Sequence, residues 1–80
     1  MTTSLDQLKP DQSATILSIS GHSALRQRLI AMGVTPGTWL MVRKYAPLGD
    51  PMEIRIRNYS LSIRKADARN ISVHMTEDPA

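Results

Sequence analysis

Few residues of this chain are of the types that carry out catalysis or bind metal. It has no cysteine and only two histidines, His22 and His74. Enzyme sites usually need a nucleophile beside a base, or several converging metal ligands. The histidines would meet Asp50, Glu77 or Asp78 only if the fold brought them together. No serine lies in a Gly-x-Ser-x-Gly motif, and no glycine precedes Lys-Ser or Lys-Thr. We therefore expect no catalytic residue, no metal and no cofactor.

The segment best suited to binding is a loop of unusual composition, Tyr45-Ala46-Pro47-Leu48-Gly49-Asp50-Pro51. Pro47 and Pro51 fix φ near its two ends, and Gly49 can adopt a positive φ. Leu48 then forms an apolar tip close to Asp50. A loop of this stiffness loses little entropy when it binds a partner. The alternative is a hairpin connection that merely requires rigid turns.

Positive charge is concentrated in the middle of the chain. The net charge is +3, and residues 43–69 hold seven basic against three acidic residues. Arg55 and Arg57 alternate with apolar neighbours, which predicts that they project from one face of a strand. Such a face suits an acidic partner or nucleic acid, although it can also be an ordinary solvated surface. Single-stranded nucleic acid usually needs aromatic stacking platforms. The chain has only three aromatic residues, Trp39, Tyr45 and Tyr59, so we expect no nucleic acid as a partner. A small nucleic-acid-binding β-barrel that uses the Arg55 and Arg57 face is the alternative function.

One helix is predicted, over residues 24–32, with Ser23 as its N-cap. Leu25, Leu29 and Met32 share one face, which predicts that they pack on the core. Gly33 follows as a left-handed C-cap. Two single helical turns are predicted at residues 4–8, opened by a Ser4–Gln7 capping box, and at 65–69.

Five short strands are predicted from β-branched and alternating apolar residues. They cover residues 14–19, 39–45, 52–57, about 60–64, and 71–73. Five strands and one short helix predict a mainly β fold, either a small SH3-like barrel or an OB-fold. We favour the SH3-like barrel because a helical turn precedes the last strand.

Length and hydropathy indicate one domain over residues 1–80. Its core is expected at about residues 5–74, with 75–80 as a flexible tail. No apolar run approaches the ~20 residues that span a bilayer, and the first residues lack the features of a signal peptide. We expect a cytoplasmic protein.

Several segments in order resemble the FeoA family (ferrous iron transport protein A). They are RLIAMGVTPGT (28–38), APLGDP (46–51), LSIRKADA (61–68) and ISV (71–73). The resemblance covers about residues 5–73. One departure is Asp11, where relatives commonly have glycine after the proline. No helix-turn-helix precedes these segments, so the chain resembles the free-standing form rather than the module of iron-dependent repressors.

The resemblance implies an SH3-like barrel in the bacterial cytoplasm that accompanies FeoB, a Fe²⁺ permease with a cytosolic GTPase domain. The implied role is docking on that cytosolic part, and so indirectly at the membrane, to modulate transport or GTPase activity. Open barrel edges leave self-association as a further expectation. We expect the contact to use nine residues: Trp39, Tyr45, Pro47, Leu48, Gly49, Asp50, Pro51, Arg55 and Arg57.

Overall fold

A single antiparallel sheet of six strands forms most of the molecule. The computed structural model describes residues 2–76. The strands are β1 (Thr2–Ser4), β2 (Ser13–Ile19), β3 (Trp39–Tyr45), β4 (Met52–Ile56), β5 (Tyr59–Ile63) and β6 (Ile71–Thr76). The helices are α1 (Ser23–Ala31), between β2 and β3, and the single turn α2 (Lys65–Ala68), before β6. A 3-10 turn, Leu5–Gln7, lies where the first helical turn was predicted.

The strand order is β1-β6-β2-β3-β4-β5, so β1 and β5 are the two edges. Bulges at Leu17 in β2 and at Arg43 in β3 shift the register. Bulges increase local twist and bend a strand, which helps this sheet curl around its core. The core consists of Leu5, Leu8, Ala14, Ile16, Leu25, Leu29, Val34, Leu40, Val42, Met52, Ile54, Ile56, Ile63, Ala68, Ile71 and Val73.

The helix α1 buries the predicted face and ends where expected. Leu25 and Leu29 are buried, and Met32, just past the helix, packs against the same core. Gly33 has φ +93°, a left-handed conformation that favours glycine. The predicted N-cap, Ser23, was wrong: His22 caps the helix, its Nδ1 accepting a hydrogen bond from the Leu25 amide at 3.2 Å. An unprotonated imidazole nitrogen can accept this bond as a serine hydroxyl would.

Six strands are present rather than the five predicted. The missing strand, β1, contains only Thr2, Thr3 and Ser4 and carries no apolar signal, so it forms by pairing with β6. That partner extends to Thr76, three residues beyond its predicted end at Val73. Met75 and Thr76 of the predicted tail are therefore in a strand, and 77–80 lie outside the described residues.

The predicted capping box at the first helical turn is also wrong. The Ser4 hydroxyl donates a hydrogen bond to the Asp6 carboxylate instead of capping a backbone amide. The turn is a three-residue 3-10 helix rather than the first turn of an α-helix, which is the setting of a capping box.

Candidate partner-binding surface

The loop between β3 and β4 is held at its base and presents one apolar side chain. Within the 46–51 loop, the Ala46 amide donates to the Pro51 carbonyl at 2.9 Å, and the Gly49 amide to the Ala46 carbonyl at 2.7 Å. Gly49 has φ +89°, and the Asp50–Pro51 peptide bond is cis. Leu48, at the tip, is 97% exposed. An ordered loop therefore holds a leucine almost entirely in solvent.

Asp50 connects this loop to the first turn of α2. Its Oδ1 accepts a hydrogen bond from the Lys65 amide at 3.0 Å. That amide belongs to the unpaired N-terminal turn of α2, so the carboxylate replaces a helical partner. The Lys65 Nζ lies 4.9 Å from the centroid of the Tyr45 ring, within cation–π distance. These contacts fix the loop and the end of β3 against α2.

Tyr45, one of the expected contact residues, is half-buried and has a structural role. Its hydroxyl donates to the Leu8 carbonyl and lies 3.5 Å from the Asp6 carbonyl. Burial, and next the negative charge of Asp6, raise the pKa of Tyr45 above its ordinary value. The ring therefore fastens the end of β3 to the segment after the 3-10 turn.

The remaining predicted contact residues do not lie beside the loop. Trp39 is at the opposite end of β3, six residues or roughly 20 Å from Tyr45. It too is half-buried, and its indole N–H is buried without a hydrogen-bond partner among residues 2–76.

Arg55 and Arg57 do not share a strand face, contrary to the sequence-based prediction. β4 ends at Ile56, and Arg57 lies in the two-residue turn to β5 with φ +55°. Arg55 pairs with Met41 and Ser60 and is exposed on the outside of the sheet. The turn breaks the period-2 alternation, and Arg57 instead lines a groove beside α1.

Sequence reasoning missed that groove, because it forms where α1 approaches the edge strand β5. The β5–α1 groove consists of two depressions of about 390 and 500 Å³ that share Met32. One is lined by Arg28, Leu29, Met32, Ser62, Ile63, Arg64 and Asp67. The other is lined by Ala31, Met32, Gly33, Thr35, Arg57, Tyr59 and Leu61. Pockets that bind ligands have volumes of this order.

Tyr59 and Gly33 close the middle of the contact between α1 and β5. The Tyr59 hydroxyl donates to the carbonyl of Met32, and a side chain at position 33 would run into that hydroxyl. Gly33 is therefore favoured by its φ, and a larger residue there would also displace the hydroxyl of the exposed Tyr59. The only sequence signal for the groove was the Met32-Gly33 pair at the end of the helix.

Among residues 2–76, no group of three or more His, Cys, Asp or Glu side chains is placed to hold a metal ion. None of the helices in this range is long and apolar enough to cross a membrane.

A FeoA domain model matches residues 3–75. The chain belongs to the FeoA domain family. A similar protein is the Fe(2+) transport protein A/Fe(2+) transporter FeoB fusion protein of Porphyromonas gingivalis (strain ATCC BAA-308 / W83), 34% identical over 76 residues. The aligned region is 95% of this chain but only 9% of the fusion protein.

Solved structures of FeoA proteins share the fold. The FeoA protein of Chlorobium tepidum is 35% identical with a TM-score of 0.88, covering 94% of this chain and 71% of its own. The zinc-complexed FeoA of Stenotrophomonas maltophilia, described as an SH3-domain protein, is 23% identical with a TM-score of 0.78, covering 89% and 88%. The SH3-like fold and the family predicted from the sequence are thus confirmed.

Proposed function

We propose that this FeoA-domain protein is a non-catalytic accessory protein of ferrous iron uptake. It binds the cytosolic part of a FeoB-type permease and modulates its transport or GTPase activity. The observation that carries the proposal is the P. gingivalis relative, in which a similar domain and the transporter are one polypeptide. Two domains joined in one chain meet at high effective concentration, which favours a functional contact between them. In this proposal the protein acts in the cytoplasm and reaches the membrane only through the permease.

The 46–51 loop is the proposed centre of the contact. Leu48 can enter an apolar pocket of the permease without prior rearrangement, because hydrogen bonds already fix the loop around it. Preorganisation of this kind reduces the entropic cost of binding. Pro47, Gly49, Asp50 and Pro51 serve in this role mainly by shaping the loop.

The test is calorimetric titration of the protein with the cytosolic region of its cognate permease, in the absence of nucleotide and with GDP or a GTP analogue. We expect saturable binding that Leu48→Ala weakens by at least about tenfold, equivalent to ~1.4 kcal/mol. Leu17→Ala is the matched control, because Leu17 is a 45% exposed leucine that lies on β2 and not on the loop. Equal affinities for the two variants would remove the loop from the contact. Absence of binding in every nucleotide state would contradict the accessory role itself.

A further inference from the structure

The edge strand β5 has backbone groups available for pairing. Within the described part of the chain it is hydrogen-bonded to β4 alone, through a hairpin whose turn has two residues. The pair that closes such a turn, Ile56 and Tyr59, exchanges hydrogen bonds, and the pattern then alternates. Ser60 and Ser62 therefore direct their N–H and C=O groups away from β4. Among residues 2–76, no hydrogen bond found outside the sheet engages the main chain of either serine.

The β5–α1 groove runs along this same edge and has an apolar floor. Leu29, Met32 and Ile63 contribute to one depression, and Met32 and Leu61 to the other. Over the five residues of β5 the edge extends roughly 17 Å. An extended peptide lying here can pair with the free backbone groups and also bury alternate side chains. Peptides that add a strand to a sheet edge are recognised in these two ways.

Arginines stand at both ends of the groove. Arg57 lines one end and Arg64 the other, and the roughly 17 Å of β5 lies between them in the chain. The one carboxylate that lines either depression, Asp67, is bound by the Arg28 guanidinium at 3.0 Å. Docking of a second copy by this edge would bring arginine against arginine, which is unfavourable. The charges instead fit a segment with acidic residues at its ends.

We propose that the β5–α1 groove binds an extended protein segment that adds a strand to β5. The segment carries apolar residues at alternate positions and acidic residues at both ends. The proposal deepens the proposed function and rests on it in one respect, that the segment belongs to the cytosolic part of the permease. The 46–51 loop adjoins the Arg64 end of the groove through the contact between Asp50 and Lys65, so one partner can touch both.

The test uses ¹⁵N-labelled protein and three unlabelled ligands. These are the cytosolic region of the cognate permease, overlapping synthetic peptides that cover it, and the capped heptapeptide Asp-Leu-Thr-Val-Thr-Leu-Glu. We expect the heptapeptide and a permease peptide of the same pattern to bind. At saturation, amide exchange at Ser60 and Ser62 should slow by at least about tenfold, because the new strand bonds must open before exchange.

Charge reversal provides a matched comparison between neighbouring arginines. Arg57→Glu combined with Arg64→Glu should weaken binding by about tenfold, since two favourable rim contacts become repulsive. Arg55→Glu should change it by less than about twofold, because Arg55 lies on the outside of the sheet. Ser62→Pro is a second variant: it removes an edge N–H while sparing the bonds to β4, and it should prevent strand addition.

The possible outcomes test peptide binding by the groove separately from the accessory role in iron uptake. If the cytosolic region binds but exchange at Ser60 and Ser62 is unchanged, the groove proposal is overturned and the accessory role survives. A heptapeptide with lysine at both ends that binds as tightly would also overturn it, as would failure of the acidic heptapeptide to bind at millimolar concentration. If the acidic heptapeptide binds as expected and the permease does not, the groove is supported and the proposed partner is wrong.

Discussion

The contribution of core packing to stability can be measured by making the same substitution at two leucines, one buried and one exposed. Leu29, on α1, is 1% exposed, whereas Leu48, on the 46–51 loop, is 97% exposed. Replacing each by alanine removes the same atoms. We expect Leu29→Ala to reduce the free energy of unfolding strongly and Leu48→Ala to leave it almost unchanged.

The expected loss for Leu29→Ala is about 2–3 kcal/mol. Leucine-to-alanine changes in protein cores cost about 2–5 kcal/mol, depending on how much cavity remains. Leu29 lines the β5–α1 groove, so the space that it leaves opens towards solvent rather than forming a sealed void. This places the loss towards the lower end of the range. A protein of 80 residues is stable by only about 4–12 kcal/mol, so the variant loses a large share of its stability.

The stability of both variants can be measured by urea unfolding. The fluorescence of Trp39, the one tryptophan of the chain, reports the transition. The midpoint of Leu29→Ala should fall at constant slope, and its Tm by roughly 10–20 °C, at about 4–8 °C per kcal/mol. Leu48→Ala should stay within about 0.5 kcal/mol of the parent protein. A loss below about 1 kcal/mol for Leu29→Ala would mean that α1 is not held by its apolar face. A comparable loss for Leu48→Ala would make the loop structural.

Two other perturbations test single contacts. Gly33→Ala should destabilise by roughly 1–2 kcal/mol in the same urea assay, because position 33 has a left-handed backbone and the new methyl must also displace the hydroxyl of the exposed Tyr59; a change near zero would contradict the left-handed conformation. Since the pKa of Tyr45 is raised on folding, the folded state keeps a proton that the unfolded chain releases, and stability should fall as the pH rises above about 10. Urea midpoints across that range should show a smaller fall for Tyr45→Phe, and an identical fall would exclude Tyr45 as the cause.

Hydrophobic periodicity predicted most of the fold because burial follows it directly. Alternation in β4 placed Met52, Ile54 and Ile56 in the core, and all three are fully buried. The strand β1 escaped prediction because three polar residues have no periodicity, and only the backbone of β6 makes them a strand. Local sequence likewise could not reveal that His22, rather than Ser23, caps α1, since serine is the commoner N-cap.

The candidate site was harder to predict because it depends on where strands end and on which elements meet. Alternation alone extends β4 through Arg57, but the two-residue turn begins there and redirects that side chain to the groove. The 46–51 loop was recognisable because its prolines and glycine act locally. The groove beside it results from the approach of α1 to β5, residues that are about 30 positions apart in sequence and share no motif.

An uncovered edge strand is a hazard for a small β protein, because its free backbone groups can pair with another copy of the chain. Arg57 and Arg64 at the ends of β5 counter this hazard by making like edges repel. The same two charges favour an acidic strand, so one feature both opposes self-pairing and selects a partner. The double substitution Arg57→Ser with Arg64→Ser removes both charges and should therefore increase self-association. Sedimentation at increasing protein concentration measures this change. Binding of the acidic peptide should weaken in the same variant. A variant that stays monomeric and binds the peptide as tightly as the parent protein would contradict both roles of the two arginines.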